Sequence, residues 1–252
     1  MDWDWCDAHC HLPEARTAVV VATLPPALAQ AHLCGTGEED WDGVIASAAV
    51  GRPRLTASIG IHPFCAADAA PGVLDRLKAA LRTAPRPLGI GEIGLDGALD
   101  RQQASPAAAA RRRDLFLAQL ELSYELGLPV SIHGRDAWPR ILELLWALPP
   151  HPAGILLHAY GGAPDVLPAF PGRHIYLSLG PILLRPTARR PRRLAQWCPR
   201  EALLLESDAP LDAPSPLPEL LPRLAALRQE TPAELATQLL ANWCQLFAKL
   251  VS

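Results

Sequence analysis

The sequence predicts an α/β fold, a (β/α)8 or TIM barrel, and three observations support this prediction. Short apolar runs alternate along the chain with longer stretches of helical character. Most of these runs are apolar at consecutive positions, which is typical of parallel strands covered on both faces. A chain of 252 residues with 50% hydrophobic composition suits one barrel. We therefore expect a single domain over residues 1–252.

Eight runs have the character of buried strands. In chain order they are DWCDAH from Asp4, AVVVATL from Ala18, LTASIGIH from Leu55, PLGIGEIGL from Pro87, PVSIH from Pro129, GILLHA from Gly154, HIYLSLG from His174 and ALLLESDA from Ala202. The clearest helix lies between the fourth and fifth runs. Ser105 and Pro106 form its start signal, and Gly127 with Pro129 forms its stop signal.

The connection between the first two runs is unusually short. Only the seven residues LPEARTA separate His11 from Val19, whereas a parallel crossover normally needs a dozen or more residues and contains a helix. At ~3.3 Å per residue, seven residues span about 23 Å, which allows a return along a strand but no helix on the way. We therefore expect the barrel to lack its first outer helix, with no helix of two turns between residues 12 and 18.

Composition narrows the function classes. The formal net charge of −3 gives no general attraction to DNA or RNA, so a nucleic-acid substrate must be gripped locally. No run approaches the roughly 18 consecutive apolar residues of a membrane span, and the first residues do not have the regions of a signal peptide. The six cysteines form no CxxC pair and are expected to be free thiols. We expect a cytoplasmic protein that does not contact membranes.

Residues that can bind metal follow the predicted strands. His9 and His11 are two apart at the end of the first strand, so both side chains point to the same side. A single pair of this kind is as often incidental as functional. Later strands add Glu92, His133, His158 and Asp208. The carboxyl ends of barrel strands are where barrel enzymes have their active sites, and a shared cation gives buried carboxylates a reason to be there.

These six residues predict two divalent metal ions. Six ligands exceed the three that a single catalytic zinc takes from protein, and a carboxylate such as Glu92 can bridge two cations about 3.5–4 Å apart. Imidazole suits zinc and other late first-row ions, while carboxylates also suit Mg²⁺ and Mn²⁺. The ions are therefore Mg²⁺, Mn²⁺ or Zn²⁺, and the ligand set leaves the choice between them open.

Seven short motifs occur in order along the chain. They are DAHCHL at 7–12, GIHP at 60–63, GEIGLD at 91–96, RQ at 101–102, LPVSIHGRDAW at 128–138, LHAYGG at 157–162 and LLLESDAP at 203–210, with the weaker ANWCQLF at 241–247. In this order they resemble the motifs of the TatD family of metal-dependent deoxyribonucleases, which belongs to the amidohydrolase-like barrels. The resemblance implies a metal-dependent phosphodiesterase, an exonuclease that acts on single-stranded DNA ends.

The resemblance also implies roles for individual residues. The first metal would be held by His9, His11, Glu92 and Asp208, and Glu92 would bridge to a second metal held by His133 and His158. Glu92 and Asp208 would be catalytic, with Asp208 orienting or deprotonating the attacking water, whose pKa the cations lower. His62 and Arg135 match substrate-facing positions of the family, and Arg135 with the metals would stabilise charge on the phosphate oxygens.

Two further features bear on a nucleic-acid substrate. The basic cluster RPTARRPRR at 185–193 follows the seventh strand on the active-site side, so Arg185 is a candidate contact for a DNA backbone. Charge reversal at Arg189 and Arg190 tests whether the cluster binds DNA. Trp138 is a candidate for stacking on a base, because it follows Arg135 by three residues.

The chain departs from the family pattern in places that leave the ligands untouched. Gly134 stands where the family usually has Ser, Ser207 replaces Thr, and LHAYGG replaces an HCFSGS-like run. After SDAP the family carries a loop that ends in an Arg-Asn-Pro-like turn, and this chain has LDAPSPLPELLPRL instead. That loop lies at the active-site face, so we expect phosphate binding or substrate specificity to differ from that of the family.

Two other functions stay open. One is a metal-dependent hydrolase of a small ester, lactone or amide, since amidohydrolase-like barrels share this ligand set across many reactions. The net charge and the shortened loop favour it slightly. The other is a partner-dependent subunit of a larger complex, with a protein partner on the apolar flank that a missing first helix would expose.

Overall fold

The computed structural model describes residues 4–13, 26–50, 55–164 and 172–251. Within them, eight parallel strands form one sheet in which each strand pairs with the next along the chain, as predicted for a (β/α)8 barrel. The strands are β1 (Trp5–Cys10), β2 (Leu28–Cys34), β3 (Leu55–Ile59), β4 (Gly89–Asp96), β5 (Val130–Arg135), β6 (Ile155–Leu157), β7 (Ile175–Leu179) and β8 (Leu203–Leu205). The fold class is confirmed.

Helices follow the strands in the alternation that the sequence predicts. Those in the described ranges are α1 (Trp41–Val50), α2 (Pro63–Ala66), α3 (Val73–Thr83), α4 (Gly97–Gln103), α5 (Pro106–Leu126), α6 (Trp138–Ala147), α7 (Arg189–Trp197), α8 (Leu217–Arg228), α9 (Pro232–Leu246) and α10 (Ala248–Val251). Helix α5 begins and ends as expected: the Ser105 side chain accepts from the amide of Ala108, and Gly127 ends it in the left-handed conformation. In the described parts of the chain, none of the helices is long and apolar enough to cross a membrane.

The second strand is not where the sequence was expected to place it. The sheet position next to β1 is taken by β2, in which Ala31 pairs with Asp7, and not by the run at 18–24. That run, and the stretch expected to have no helix, fall mostly outside the described residues. The connection from β1 to β2 covers residues 11–27, so the seven-residue argument for a missing helix does not hold. The case for a protein partner on an exposed flank loses its basis with it.

The barrel closes where β1 meets the segment that follows β8. The amide of Asp208 donates to the carbonyl of His9 at 3.0 Å, and the amide of His11 donates to the carbonyl of Ala209 at 2.9 Å. These bonds continue the parallel pairing by an isolated bridge between His11 and Pro210. Closure of the sheet therefore brings the end of the first strand and the end of the last strand together.

Helix α9, near the carboxyl terminus of the described chain, packs against β1 and β8. Trp243 is fully buried, and its indole N–H donates to the carbonyl of Asp7 in β1 at 3.2 Å. Asn242 donates to the carbonyls of Arg200 and Leu203 at 2.6 and 2.8 Å. Satisfied buried polar groups of this kind fix one arrangement of helix and strands. Asn242 and Trp243 of the segment ANWCQLF thus serve the packing of α9 on the barrel.

Candidate metal centre

Glu92 lies at the centre of the cluster of predicted ligands. It projects from β4 and is 3% exposed, and both oxygens of its carboxylate face histidines. Its Oε2 atom lies 3.2 Å from Nε2 of His9 and 3.7 Å from Nε2 of His11. A buried carboxylate with imidazole partners is far less costly than an unpaired one.

The second oxygen of Glu92 faces the other side of the barrel mouth. Its Oε1 atom lies 2.9 Å from Nδ1 of His133, 2.8 Å from Nε2 of His158 and 3.3 Å from Nε2 of His62. The two oxygens therefore divide the histidines into two groups, one on each side of the carboxylate. A role for Glu92 as a bridge between two ions stays a prediction, which this geometry permits.

Asp208 joins the first of these groups. Its Oδ1 atom lies 3.3 Å from Nε2 of His11, and its side chain is 42% exposed. The backbone of Asp208 is left-handed, with φ of 49°, a region that Asp tolerates better than most residues. This conformation, together with the amide bond to His9, turns the carboxylate toward the barrel mouth.

Three of the imidazole rings in this cluster are held from behind by a second group. Nδ1 of His9 lies 2.9 Å from Oγ of Ser131, and Nδ1 of His11 lies 3.0 Å from the carbonyl oxygen of Cys34. His62 caps α2, and its Nδ1 accepts from the amide of Phe64 at 3.0 Å. With one ring nitrogen fixed in this way, the other nitrogen points to the centre.

Glu206 is a residue that the sequence analysis missed. It is fully buried after β8, accepts from the amide of Ala159 at 2.7 Å and from the hydroxyl of Ser178, and lies 3.5 Å from Nδ1 of His158. A carboxylate behind a histidine orients the ring and raises its basicity as a ligand. The spacing of Glu206 and Asp208, two apart like the first two histidines, was a signal that could have found it.

The sequence analysis also gave Asp7 no role beyond its place in the DAHCHL motif. Its Oδ1 atom accepts from the amides of His9 at 3.2 Å and Ser207 at 3.0 Å, so it joins β1 to the segment that carries Asp208. Burial raises the pKa of Asp7 to about 7, although these amides oppose the shift. Asp7 supports the centre without facing it.

Burial and mutual charge shift the pKa values of the central groups. Burial opposes ionisation of Glu92, but the surrounding imidazoles, His158 first, hold its pKa well below the ordinary value. Burial also opposes protonation of His11, yet its hydrogen bond to Asp208 and the charge of Glu92 raise its pKa to about 9. The pKa of His9 is lowered by burial and by the charge of His158. In the metal-free protein, protons thus occupy positions that cations can take.

The donor set fits divalent metal ions. Three groups of side chains have ligand atoms within 4.8 Å of one another: His9 with His158 and Glu206, His9 with His11 and Asp208, and His62 with Glu92 and His133. The nitrogens that face Glu92 are Nδ1 of His133 and Nε2 of His158, and the opposite nitrogens face carboxylates, at 3.6 Å from Asp96 and 3.5 Å from Glu206. Imidazole nitrogens and carboxylate oxygens suit zinc, manganese and related ions. His62, expected to face substrate, belongs to the same cluster.

A cavity of about 360 Å³ opens onto this centre. It is lined by His11, Thr36, Glu39, His62, Phe64, Cys65, Glu92, His133, His158 and Asp208. A larger cavity of about 910 Å³ lies between residues 70–75 and α5, and none of the predicted ligands lines it. Of these two cavities, the smaller one gives a substrate access to the cluster.

The other expected substrate contacts lie away from the cavity wall. Arg135 is exposed at the end of β5, and Arg185 is exposed after the 3-10 turn Pro181–Leu184; neither lines the cavity. Trp138 is 5% exposed, and its ring packs against Tyr160 with centroids 4.7 Å apart. The expectation that Trp138 stacks on a base is wrong, because its ring is covered by the protein.

A (β/α)8 barrel with imidazoles and carboxylates gathered at the carboxyl ends of its strands is the architecture of metal-dependent hydrolases. The model of the family described as TatD related DNase matches residues 6–248, and the chain belongs to this family. The resemblance seen in the motifs is thereby confirmed, and the protein is a metal-dependent hydrolase of the TatD family.

Relatives whose names state an activity agree with this assignment. The 3'-5' ssDNA/RNA exonuclease TatD of Salmonella typhimurium is 32% identical over an alignment of 214 residues, and the match covers 77% of this chain and 78% of that protein. The metal-dependent hydrolase YabD of Bacillus subtilis is 30% identical over 162 residues, or 64% of this chain and 61% of that one. The crystal structure of YjjV, a TatD homologue from Escherichia coli, has a TM-score of 0.82 and 26% identity, and the match covers 97% of this chain and 98% of that chain.

Proposed function

We propose that this protein is an exonuclease that hydrolyses the terminal phosphodiester bonds of single-stranded DNA at a centre of two divalent ions. The observation that carries the proposal is the position of Glu92, whose two oxygens face two separate groups of histidines. A carboxylate between two ligand groups is the arrangement that holds paired ions in nucleases and phosphatases.

Two groups of residues would hold the ions. His9, His11 and Asp208 would hold one ion, and His133 and His158 would hold the other, with Glu92 between the two groups. When bound, the ions supply Lewis acidity that lowers the pKa of water and neutralises phosphate charge. Mg²⁺, Mn²⁺ and Zn²⁺ are all compatible with this mixture of nitrogen and oxygen ligands.

Asp208 is the residue that takes the proton of the attacking water. Burial raises its pKa, but its hydrogen bond to His11 and the charges of His158 and His9 together outweigh burial and lower the pKa below the ordinary value, so the carboxylate is ionised at neutral pH. Its partial exposure at the cavity leaves it accessible to water and substrate. A carboxylate within hydrogen-bond reach of the attacking water suits a general base.

The substrate follows from the relatives and from the surface around the cavity. The Salmonella relative is named for 3'-5' action on single-stranded DNA and RNA, and we propose the same direction here. Arg135 and Arg185 are exposed near the carboxyl ends of β5 and β7, where a strand that enters the cavity can meet them. Guanidinium groups bind phosphate oxygens strongly.

The test is nuclease activity of the metal-stripped protein on end-labelled single-stranded DNA and RNA, with Mg²⁺, Mn²⁺ or Zn²⁺ restored. We expect shortening from the 3' end that needs metal and is lost in Glu92→Ala and Asp208→Ala. Glu219→Gln, which changes an exposed carboxylate on α8, is the matched control and should keep full activity.

Two outcomes would contradict the proposal. Shortening that persists in both variants would show that another centre, or a contaminant, cleaves the substrate. Binding of about two metals per chain without cleavage of any nucleic acid would favour the hydrolysis of a small ester, lactone or amide, and a panel of such substrates would then identify it.

A further inference from the structure

Phe64 is a large apolar side chain in an unexpected place. It is 57% exposed, follows His62 by two residues, and lines the cavity that opens onto Glu92. It is the one aromatic ring without a titratable group in that lining, which is otherwise rich in imidazole and carboxylate groups. An exposed phenyl ring costs free energy in water, so a position at the mouth of a reaction cavity points to contact with a ligand.

The Phe64 ring contacts His62, and its helix is bonded to α5. Its centroid lies 4.5 Å from that of His62 in an edge contact, and 6.4 Å from that of His133. Helix α2 is fastened to α5 by Arg112, whose Nε donates to the carbonyl of Pro63 at 3.0 Å and whose guanidinium pairs with Asp100 at 2.7 Å. The backbone beneath the ring is therefore anchored to α5, and one side of the ring packs against His62.

Its position relative to the centre fits one part of a nucleotide. His62 Nε2 lies 3.3 Å from Glu92 Oε1, so one imidazole separates the phenyl ring from the carboxylate. A base is joined to its phosphate through a sugar, and a base stacked on Phe64 would leave its phosphodiester near Glu92. Aromatic side chains beside a backbone-binding groove stack on bases of any sequence, because every base has a flat face.

We propose that Phe64 is the base-stacking residue of this enzyme and binds the base next to the scissile phosphodiester. The proposal rests on the proposed function and adds a residue that sets affinity for the nucleic acid. The other large exposed aromatics in the described ranges, Trp146 and Trp197, lie at the carboxyl ends of α6 and α7, away from the cavity. Trp138, as noted, is covered.

The test compares Phe64→Ala, Phe64→Leu and Phe64→Trp on two single-stranded oligonucleotides. One carries an ordinary 3'-terminal nucleotide, and the other carries an abasic sugar at that position. On the ordinary substrate we expect Phe64→Ala and Phe64→Leu to raise KM about tenfold with little change in kcat, and Phe64→Trp to keep the KM of the unmodified protein. On the abasic substrate, all four proteins should share the higher KM.

Binding gives a readout that does not depend on cleavage. A 3'-terminal 2-aminopurine should lose fluorescence when the oligonucleotide binds the metal-stripped protein, and Phe64→Ala should abolish that loss. Because the ring is largely exposed, the unfolding midpoint of each variant should match that of the unmodified protein.

The outcomes separate this inference from the proposed function. Cleavage with unchanged KM in Phe64→Ala would overturn the stacking role and leave the nuclease. An equal rise in KM on both substrates would also overturn it, because the effect would not depend on the base. Quenching that Phe64→Ala abolishes, in a protein that cleaves no nucleic acid, would support stacking and overturn the nuclease. Neither quenching nor cleavage would overturn both.

Discussion

Ser131 holds the imidazole of His9 across the interior of the barrel, with Oγ of Ser131 2.9 Å from Nδ1 of His9. The serine projects from β5 and the histidine from β1, so the contact joins strands that are not neighbours in the sheet. The opposite ring nitrogen, Nε2, faces Glu92 at 3.2 Å. Ser131 therefore sets which nitrogen of His9 is available to a metal.

Replacing this serine should weaken the metal centre without removing a ligand. We expect Ser131→Ala to lower metal affinity by about 10- to 100-fold, because the ring of His9 loses the bond that fixes its orientation. Titration of the metal-stripped protein with Mn²⁺ or Zn²⁺ measures this effect. Ser47→Ala, a change to another buried serine whose hydroxyl bonds within α1, is the control and should leave affinity unchanged. Equal affinity in both variants would refute the role of Ser131.

The cluster of candidate metal ligands was predictable from the sequence because it depends on strand ends alone. The polar residues at the ends of β1, β5, β6 and β8, with Glu92 in β4, are brought together once a parallel barrel is assumed. Glu206 follows from the same alternation as His9 and His11, but its burial behind His158 depends on tertiary contacts. The partner of His9 is even less accessible to sequence analysis. Ser131 precedes His133 by the same two residues, but serine is not a typical metal ligand, and its contact with His9 joins distant parts of the chain.

The position of β2 could not be predicted, for a physical reason. The strand LAQAHLC contains Gln30 and His32, whereas the run at 18–24 is apolar and rich in valine. In the structure His32 is fully buried, with its ring nitrogens 2.9 Å from Thr56 and 2.8 Å from Ser58 on β3. These partners make a polar residue compatible with a buried strand, and only the folded barrel reveals them.

Metal binding should release protons at neutral pH. The pKa of His11 is raised to about 9, because Asp208 and Glu92 outweigh burial, and Glu92 and Glu206 raise the pKa of His158 in the same way. Groups with raised pKa values carry protons below those values, and metal ligation requires the neutral nitrogen. We therefore expect about two protons to be released at pH 7, one from each ring, and the apparent metal affinity to fall as the pH falls from 9.

Calorimetric titration with Mn²⁺ in buffers of different ionisation enthalpy measures the number of protons released. The number should decline as the pH rises through about 9, because His11 is then neutral before metal binds. A metal affinity that is independent of pH between 6 and 9 would show that these rings are already neutral.

Gly134 leaves room for the indole ring of Trp138, which packs directly against it. A Cβ atom on Gly134 would lie 2.6 Å from the indole ring of Trp138, which is buried and cannot move aside. We expect Gly134→Ser to lower the free energy of unfolding by about 1–3 kcal/mol, as overpacking usually does. Measurement by urea unfolding, with Gly161→Ser as control, tests this, since a Cβ atom on Gly161 would meet nothing closer than 3.7 Å.

A double variant identifies the cause of that loss. Adding Trp138→Leu to Gly134→Ser removes the ring that the new side chain meets, so the two changes together should cost less than the sum of their separate costs. This coupling would explain why the chain has glycine where its family usually has serine. Strictly additive costs would show that the two residues do not share space.

The basic face of α7 should contribute to binding through the nucleic-acid backbone. Arg189 and Arg190 are exposed at its amino-terminal end and form no ion pair with a carboxylate in the described parts of the chain. A guanidinium nitrogen of Arg190 lies 3.5 Å from the carbonyl of Gly161, in the loop after β6, which places the pair on the side of the barrel where the ligands lie. Unpaired cations at such a place can replace counterions on a phosphate backbone.

We expect the double variant Arg189→Glu/Arg190→Glu to bind single-stranded DNA more weakly and with a flatter dependence on salt. Two lost phosphate contacts should reduce the slope of log affinity against log salt by about 1.4. Fluorescence anisotropy of a labelled strand with the metal-stripped protein measures the slope. Arg82→Glu/Arg223→Glu changes the net charge equally, at exposed positions on α3 and α8, and is the control. Equal slopes in the two double variants would reduce the effect to net charge and remove α7 from the path of the strand.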